Sequence, residues 1–197
     1  TGEGGMILGR SEAHISRAKI LALHGMSKDA WHRFGDKGYK HYQVVETGFK
    51  YNMMDLQAAL GLGQLRRVEE NWRKREAVWQ HYMQALSGLP IGLPASVEAQ
   101  DSRHAFHLFT VQIDEEKVGL SRDQFLNAMS LRGIGTGVHY LSIADHPVYQ
   151  EKYGWQAEHW PNAMLIGCQT ASLPISARLS FEDVGVVVNS VRSILCG

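Results

Sequence analysis

The sequence predicts an α/β fold, and three observations beyond residue 101 lead to this prediction. Residues 104–113 alternate as a strand does, with one predicted face formed by Ala105, His107, Phe109, Val111 and Ile113. Ser121 and Gln124 have the spacing of a capping box, flanked by Leu120 and Phe125 as a hydrophobic staple, so a helix is expected to begin there. That helix should end at Gly133, and residues 134–140 should return as a strand. A short helix after Pro161, an extended segment at 171–173 and a last helix capped by Ser180 complete a small α/β layer.

A predicted strand, a helix and a long connection precede this layer. Residues 3–9 resemble a strand, and Ser11 can cap a helix that continues to the Leu-His-Gly at 23–25. Residues 26–47 form a long connection rich in aromatic residues and glycine. Connections of this length in compact domains are often functional.

The clearest helical signal covers residues 52–86. Asn52 is the expected N-cap, and the apolar stripe includes Leu65, Val68, Trp72, Trp79 and Tyr82. The first turns carry small residues, whereas the later turns carry aromatics and charges. Such a helix is expected to span between domains or subunits. Proline and glycine at 87–94 place the predicted linker at 87–101.

Composition excludes several classes of function. The 20 basic and 20 acidic residues cancel, which argues against a protein that binds nucleic acid by charge. The basic cluster at 66–75 is interleaved with glutamates and is typical of a solvated helix face. Cys168 and Cys196 form no disulfide framework, and the histidines form no metal-binding motif. A cytoplasmic, reduced protein is therefore expected.

Three short motifs could carry chemistry, and each has a structural alternative. Gly133–Gly137 (GIGTG) follows a predicted helix and opens a strand, which favours a helix end and turn over a dinucleotide loop. His139 and Tyr140 close a predicted strand, where they could form the wall of a site or simply contribute to packing. Lys50 and Asn52 precede a helix N-terminus, where they could bind a phosphate or form only a turn and an N-cap.

Several motifs occur together in one order: TGEGGMI, LALHG, GFKYNMMDLQAALGLGQL, an HxxHLF strand, GIGTGVHY and ASLPIS. In this combination the chain resembles the C-terminal half of the DegT/DnrJ/EryC1/StrS sugar aminotransferases. The resemblance implies a type I, aspartate-aminotransferase-like fold that depends on pyridoxal 5′-phosphate (PLP). Residues 1–51 would then end the large PLP-binding domain, 52–86 would be an interdomain helix, and 102–197 the small C-terminal α/β domain. It also implies a homodimer that moves an amino group from glutamate onto a nucleotide-linked 4-keto-sugar.

The resemblance also assigns site residues. In such proteins the Schiff-base lysine lies upstream of the TGEGG stretch, so it would precede Thr1 and be absent from this chain. Lys50 and Asn52 would contact the phosphate of the partner subunit's PLP, with their order exchanged relative to the family's GxNxR pattern. His139, Tyr140 and Trp31 would contact the substrate.

The HGMSKDAW loop and the KYN variant most resemble the branch that forms UDP-4-amino-4-deoxy-L-arabinose for lipopolysaccharide. Two other functions remain open at this stage. One is a PLP-dependent sugar dehydratase of the same fold, in which histidine replaces the lysine. The other is a non-catalytic α/β module that binds a sugar nucleotide or a partner protein.

Overall fold

The computed structural model describes residues 1–27, 42–95 and 102–196. It contains two compact units, one formed by Thr1–Arg67 and the other by Val68–Gly197. In the described ranges, no helix has both the length and the apolar character needed to cross a membrane.

Helix α1, Glu12–Ala22, begins where the sequence predicts it, because the Ser11 hydroxyl accepts a hydrogen bond from the His14 N–H at 3.4 Å. It ends at a tight approach between two glycines. Gly25 has a φ of +71°, and a Cβ there would lie 1.7 Å from the Glu46 carbonyl oxygen. A Cβ on Gly48 would lie 2.1 Å from the Gly25 nitrogen. Both positions therefore require glycine.

The strand predicted at residues 3–9 is not formed. No backbone of another described residue pairs with this segment, and a strand needs a hydrogen-bonded neighbour. Its apolar residues are accordingly exposed, Met6 by 81%, Ile7 by 74% and Leu8 by 88%. The prediction of a strand at residues 3–9 is therefore wrong, because an apolar run cannot supply the pairing by itself.

The helix predicted over residues 52–86 is two helices, α2 (Asp55–Leu65) and α3 (Val68–Ala85). The break lies at Arg66 and Arg67. There the Arg67 N–H bonds to the Gln64 carbonyl, and the Arg67 side chain donates to the Gly63 carbonyl at 3.4 Å. The last turn of α2 is therefore tighter than an α-helical turn, and the Arg67 side chain bonds to the Gly63 carbonyl, which has no helical partner. The break coincides with the division between the two units, and the predicted linker at 87–101 falls within the second unit.

The predicted N-cap of this segment is also different. The N-cap of α2 is Met54, whose N–H donates to the Gln57 side-chain oxygen at 3.0 Å. Asn52 lies two residues earlier, and its side-chain oxygen accepts a hydrogen bond from Lys50. Asn52 is therefore free of a capping role.

The second unit contains an antiparallel pair of strands, β1 (Phe109–Gln112) and β2 (Thr170–Leu173), with Phe109 opposite Leu173. Isolated bridges extend the pair on both sides, from Gly92 to Gln112 and from Gly137 to Ser172. The predicted strand at 134–140 is reduced to the Gly137 bridge. The strand predicted at 104–113 begins only at Phe109, because Phe106 has a φ of +49° and turns into the core.

Five helices accompany these strands: α4 (Glu115–Val118), α5 (Arg122–Leu131), α6 (Pro147–Tyr153), α7 (Pro161–Gln169) and α8 (Phe181–Cys196). The predicted capping box at α5 is confirmed, since the Gln124 N–H donates to the Ser121 hydroxyl and the Ser121 N–H donates to the Gln124 side chain. The Ser180 cap of α8 is confirmed as well. Its hydroxyl accepts from the Asp183 N–H at 3.1 Å.

The core of the second unit lies between the apolar face of the strand pair and helices α3, α5 and α8. Its fully buried side chains include Tyr82, Leu86, Phe109, Val111, Phe125, Met129, Val184 and Val191. The opposite face of the strand pair carries Thr110, Gln112, Thr170 and Ser172, which share that face because paired residues point the same way. The strand pair therefore has a polar face on the side away from the core, and Thr170 and Ser172 on that face are buried.

Candidate active site

The segment that carries Lys50 and Asn52 is held against the end of α1 by backbone hydrogen bonds. The Phe49 N–H donates to the Leu21 carbonyl at 2.6 Å, and the Tyr51 N–H donates to the Ala22 carbonyl at 2.8 Å. Lys50 forms an antiparallel bridge with Leu23. These contacts fix an extended segment that leads directly into α2.

Lys50 and Asn52 lie together in this segment. The Lys50 ammonium donates to the Asn52 side-chain oxygen, and the Lys50 side chain is exposed. This contact leaves the Asn52 amide N–H groups and the other Lys50 N–H groups as donors. Lys50 also supplies a positive charge just ahead of a helix N-terminus, where a phosphate is favoured. The donor set therefore fits a phosphate group such as that of PLP.

The alternate side chains of the segment are aromatic. The rings of Phe49 and Tyr51 stack with centroids 4.9 Å apart and planes within 5°, although both rings are largely exposed. Successive side chains of an extended segment point to opposite sides. The polar pair and the aromatic pair therefore occupy opposite sides of the same short stretch.

His139 and Tyr140 also lie side by side, in the second unit. Their ring centroids are 4.8 Å apart in an edge-to-face arrangement, and Tyr140 is 72% exposed. The imidazole Nδ1 of His139 lies 2.8 Å from the Ser172 hydroxyl oxygen on the polar face of β2. The structure thus places an acid-base group on a fixed support at the end of an extended segment.

Two glycines of the GIGTG stretch, Gly133 and Gly137, help to place the segment that carries His139. Gly133 has a φ of +74°, and its N–H bonds to the Ser130 carbonyl, as expected for the end of α5. A Cβ on Gly137 would lie 2.9 Å from Cε1 of the His139 ring. The stretch ends a helix and makes room for His139, which agrees with the helix-end interpretation.

A cleft of about 660 Å³ opens beside His139. Its polar and charged lining is formed by Arg75, His107, Thr136, His139, Ser172 and Ser176, and its described lining residues include no carboxylate. An arginine in a lining without acidic groups favours an anionic ligand. A second cleft, near α4 and α5, is instead lined by Asp114, Glu115, Glu116 and Asp123 together with Lys117 and Arg122.

The structure thus brings together Lys50 with Asn52, and His139 with Tyr140, each pair within its own unit. Trp31, the third predicted substrate contact, lies outside the described residues. Sequence reasoning did not assign roles to Ser172, Arg75 or Gln57. Ser172 lies within the ASLPIS motif, but only the bridge from Gly137 to Ser172 brings its hydroxyl within hydrogen-bond distance of the imidazole.

A sequence model described as the DegT/DnrJ/EryC1/StrS aminotransferase family matches residues 1–192. The spore coat polysaccharide biosynthesis protein SpsC of Bacillus subtilis is 41% identical over 100% of this chain and 51% of its own length. The chain therefore spans about half the length of this relative.

Solved structures are similar in the same region. DesV of S. venezuelae superposes with a TM-score of 0.77 and 27% identity, over 93% of this chain and 44% of its own. The putative sugar aminotransferase Spr1654 of Streptococcus pneumoniae, in its PLP form, gives a TM-score of 0.79 at 24% identity, over 94% of this chain and 44% of its own. These structures confirm the predicted fold class, an α/β chain that covers part of a PLP-dependent aminotransferase fold. The match to the family model, together with the identity to SpsC, shows that the chain belongs to the DegT/DnrJ/EryC1/StrS aminotransferase family.

Proposed function

We propose that the protein carrying this chain is a PLP-dependent aminotransferase that moves an amino group from glutamate to a nucleotide-linked 4-keto-sugar. The observation that carries the proposal is the Lys50–Asn52 pair, a cation and an amide held together just before α2. Family membership supports the reaction class. A relative that is known in both PLP and PMP forms supports the cofactor.

Lys50 and Asn52 would hold the phosphate of PLP in the partner subunit of a homodimer. The Asn52 amide donates hydrogen bonds, and the Lys50 ammonium supplies both donors and charge. Their mutual contact keeps the two side chains at one spacing before the cofactor arrives, which lowers the ordering cost of binding. When bound, PLP would supply the electron sink for the reaction.

His139 and Tyr140 would contact the sugar nucleotide. Ser172 holds the His139 ring, so the second ring nitrogen, Nε2, remains for a ligand. The adjoining cleft has Arg75 and His107 in its lining and no described carboxylate, which suits the negative charge of a nucleotide. These residues would bind and orient the sugar.

The proposal names a nucleotide-linked keto-sugar and does not narrow it to UDP-4-keto-pentose. The predicted branch forming UDP-4-amino-4-deoxy-L-arabinose has no support from the similar proteins. The relative with 41% identity is named for spore coat polysaccharide, which is a different product. A role in building a surface polysaccharide agrees with that relative.

The homodimer is supported by the exposed apolar surface of the first unit. Helix α2 buries none of its residues, and Leu56, Leu60 and Leu65 are 71%, 54% and 65% exposed. Contiguous exposed leucines typically mark surfaces that are covered in the functional assembly. Sedimentation equilibrium of the PLP-loaded protein should give the mass of a dimer. A monomer would contradict the shared active site.

Single turnover with glutamate tests the proposed reaction. Addition of glutamate to the PLP-loaded protein, without any sugar, should release one equivalent of 2-oxoglutarate per bound cofactor. The Gln64→Ala variant, altered at an exposed position of α2, should behave like the parent. Bound PLP without 2-oxoglutarate would favour the dehydratase, and failure to bind PLP would favour the non-catalytic module.

A further inference from the structure

The side chain of Gln57, in the first turn of α2, makes hydrogen bonds in two directions. Its oxygen accepts from the Met54 N–H at 3.0 Å, which caps the helix. Its nitrogen donates to the backbone carbonyl of Glu3 at 3.1 Å and to that of Thr1 at 3.4 Å. One amide side chain therefore joins the start of α2 to a segment more than 50 residues away in sequence, and the contact with Glu3 is the shorter.

Close packing also joins the first residues of the chain to the start of α2. A Cβ on Gly4 would lie 2.9 Å from the Met53 methyl carbon, and a Cβ on Gly61 would lie 3.3 Å from the Thr1 methyl carbon. Gln57 and Gly61 are four residues apart and so lie on one face of α2, while Met53 directly precedes its N-cap, Met54. The first four residues therefore lie along this face of the helix.

The segment has little else to order it. Three of its first five residues are glycine, and Gly2 and Gly4 have φ values of +73° and +150°. Glycine has the greatest backbone freedom of any residue. Within the ranges that the structure describes, the Gln57 side chain makes the only hydrogen bonds to residues 1–10. Among the described residues, the hydrogen bonds that hold this glycine-rich segment thus come from one side chain.

We propose that Gln57 is a positioning residue that fixes the TGEGG segment on the start of α2. This rests on the proposed function in one respect, namely that a lysine holding PLP would come just before the TGEGG segment in the protein that carries this chain. Gln57 then couples the segment next to that lysine, which would hold this subunit's PLP, to the helix that follows Lys50 and Asn52, the pair that would contact the partner subunit's PLP. Gln57 touches neither cofactor nor substrate in this role and acts through the segment that it holds.

The hydrogen bonds from Gln57 to Thr1 and Glu3, here called the tether, can be tested separately from the helix cap by comparing Gln57→Glu with Gln64→Glu. Glutamate at position 57 keeps an oxygen to accept from the Met54 N–H, but it has no donor for the Thr1 and Glu3 carbonyls. The Gln64→Glu change adds the same charge to the same helix at an exposed position. A carboxylate is favoured by the helix dipole in the first turn and disfavoured in the last turn, so a loss of order confined to residues 1–5 of Gln57→Glu reports on the lost donor.

Backbone ¹⁵N relaxation of this chain gives the first readout. In the parent and in Gln64→Glu, the amides of Gly2, Gly4 and Gly5 should have order parameters near those of rigid backbone, about 0.85. In Gln57→Glu they should fall below about 0.6, while the amides of Ala58 and Ala59 stay unchanged. Equal order in both variants would overturn the proposal, and so would a segment that is already mobile in the parent.

The PLP-loaded protein gives the second readout. In Gln57→Glu the visible circular dichroism of bound PLP should change, and kcat should fall by about 10- to 100-fold, as expected for a displacement of about 1 Å. Gln64→Glu should match the parent in both measurements. Unchanged dichroism and kcat in Gln57→Glu would overturn the effect on the lysine. A parent protein that binds no PLP would overturn the proposed function instead, and the relaxation measurement would still decide the tether.

Discussion

The imidazole Nδ1 of His139 lies 2.8 Å from the hydroxyl oxygen of Ser172, a residue that is only 5% exposed. This contact joins an extended segment to the middle of β2, where Ser172 is already fixed by pairing with Thr110 and Gly137. A rotatable ring attached to a rigid strand keeps one orientation, which is how supporting hydrogen bonds prepare a binding site. The proposed substrate contact of His139 therefore depends on Ser172.

Substitution of Ser172 by alanine should raise KM for the keto-sugar without changing KM for glutamate. The loss of one hydrogen bond is worth about 1 kcal/mol, which corresponds to a roughly fivefold increase in KM. Steady-state kinetics of the PLP-loaded protein measure this, with Ser193→Ala on the exposed side of α8 as control. Partial rescue by Ser172→Thr, which restores a hydroxyl, would support a positioning role. An unchanged KM for the sugar would contradict it.

Removal of the imidazole in His139→Ala should raise KM for the keto-sugar by about tenfold or more, since it removes the proposed contact itself. KM for glutamate should change far less. His159→Ala, at an exposed position, serves as the matched control. Equal changes in both KM values would indicate that His139 only supports the packing of its segment.

Substitution of Asn52 by alanine should weaken PLP retention, because it removes donors that fit the phosphate and releases Lys50 from its partner. A hydrogen bond to a charged group is worth about 1.5–3 kcal/mol, or about 10- to 100-fold in the dissociation constant of PLP. Fluorescence titration of apoprotein with PLP measures this constant. Asn162→Ala, an exposed amide on α7, should bind like the parent. Equal affinities for Asn52→Ala and the parent would exclude Asn52 from the phosphate site.

The elements that the sequence predicts well are those determined within a few residues. The caps of α1, α5 and α8 follow from Ser11, Ser121 and Ser180, because a capping hydroxyl needs only the next turn of its own helix. Prediction fails where a partner distant in sequence decides the outcome. Residues 3–9 have a strand-like pattern but no described strand to pair with, so they remain extended and exposed.

The candidate site follows the same division. The contact of Lys50 with Asn52, and that of His139 with Tyr140, follow from the sequence because each pair is local in the chain. The contacts of Ser172 and Gln57 are not predicted by the sequence, because their partners are 33 and 54 residues away. The break between α2 and α3 is not predicted either, because helical periodicity continues through Arg66 and Arg67 whereas the helical hydrogen bonds do not.

Tyr82 should make the stability of the second unit depend on alkaline pH. Its side chain is fully buried, and its hydroxyl donates to the Pro174 carbonyl at 2.9 Å. Burial raises the pKa of this hydroxyl above its ordinary value of 10.0, so the folded protein keeps it protonated at a pH where the unfolded chain ionises it. Its contribution to stability is complete below pH 10 and declines as the pH rises further, because the unfolded state gains the free energy of ionisation.

Urea unfolding followed between pH 8 and 11 measures this effect, with Tyr82→Phe as the matched variant. At neutral pH the variant should be less stable by about 1 kcal/mol, because the Pro174 carbonyl loses its donor. Above pH 10 the parent should lose stability more steeply than Tyr82→Phe, so the difference between the two should shrink. The exposed Tyr153 supplies the control, since Tyr153→Phe should leave the pH dependence unchanged. Parallel curves for the parent and Tyr82→Phe would show that Tyr82 ionises equally in the folded and unfolded states.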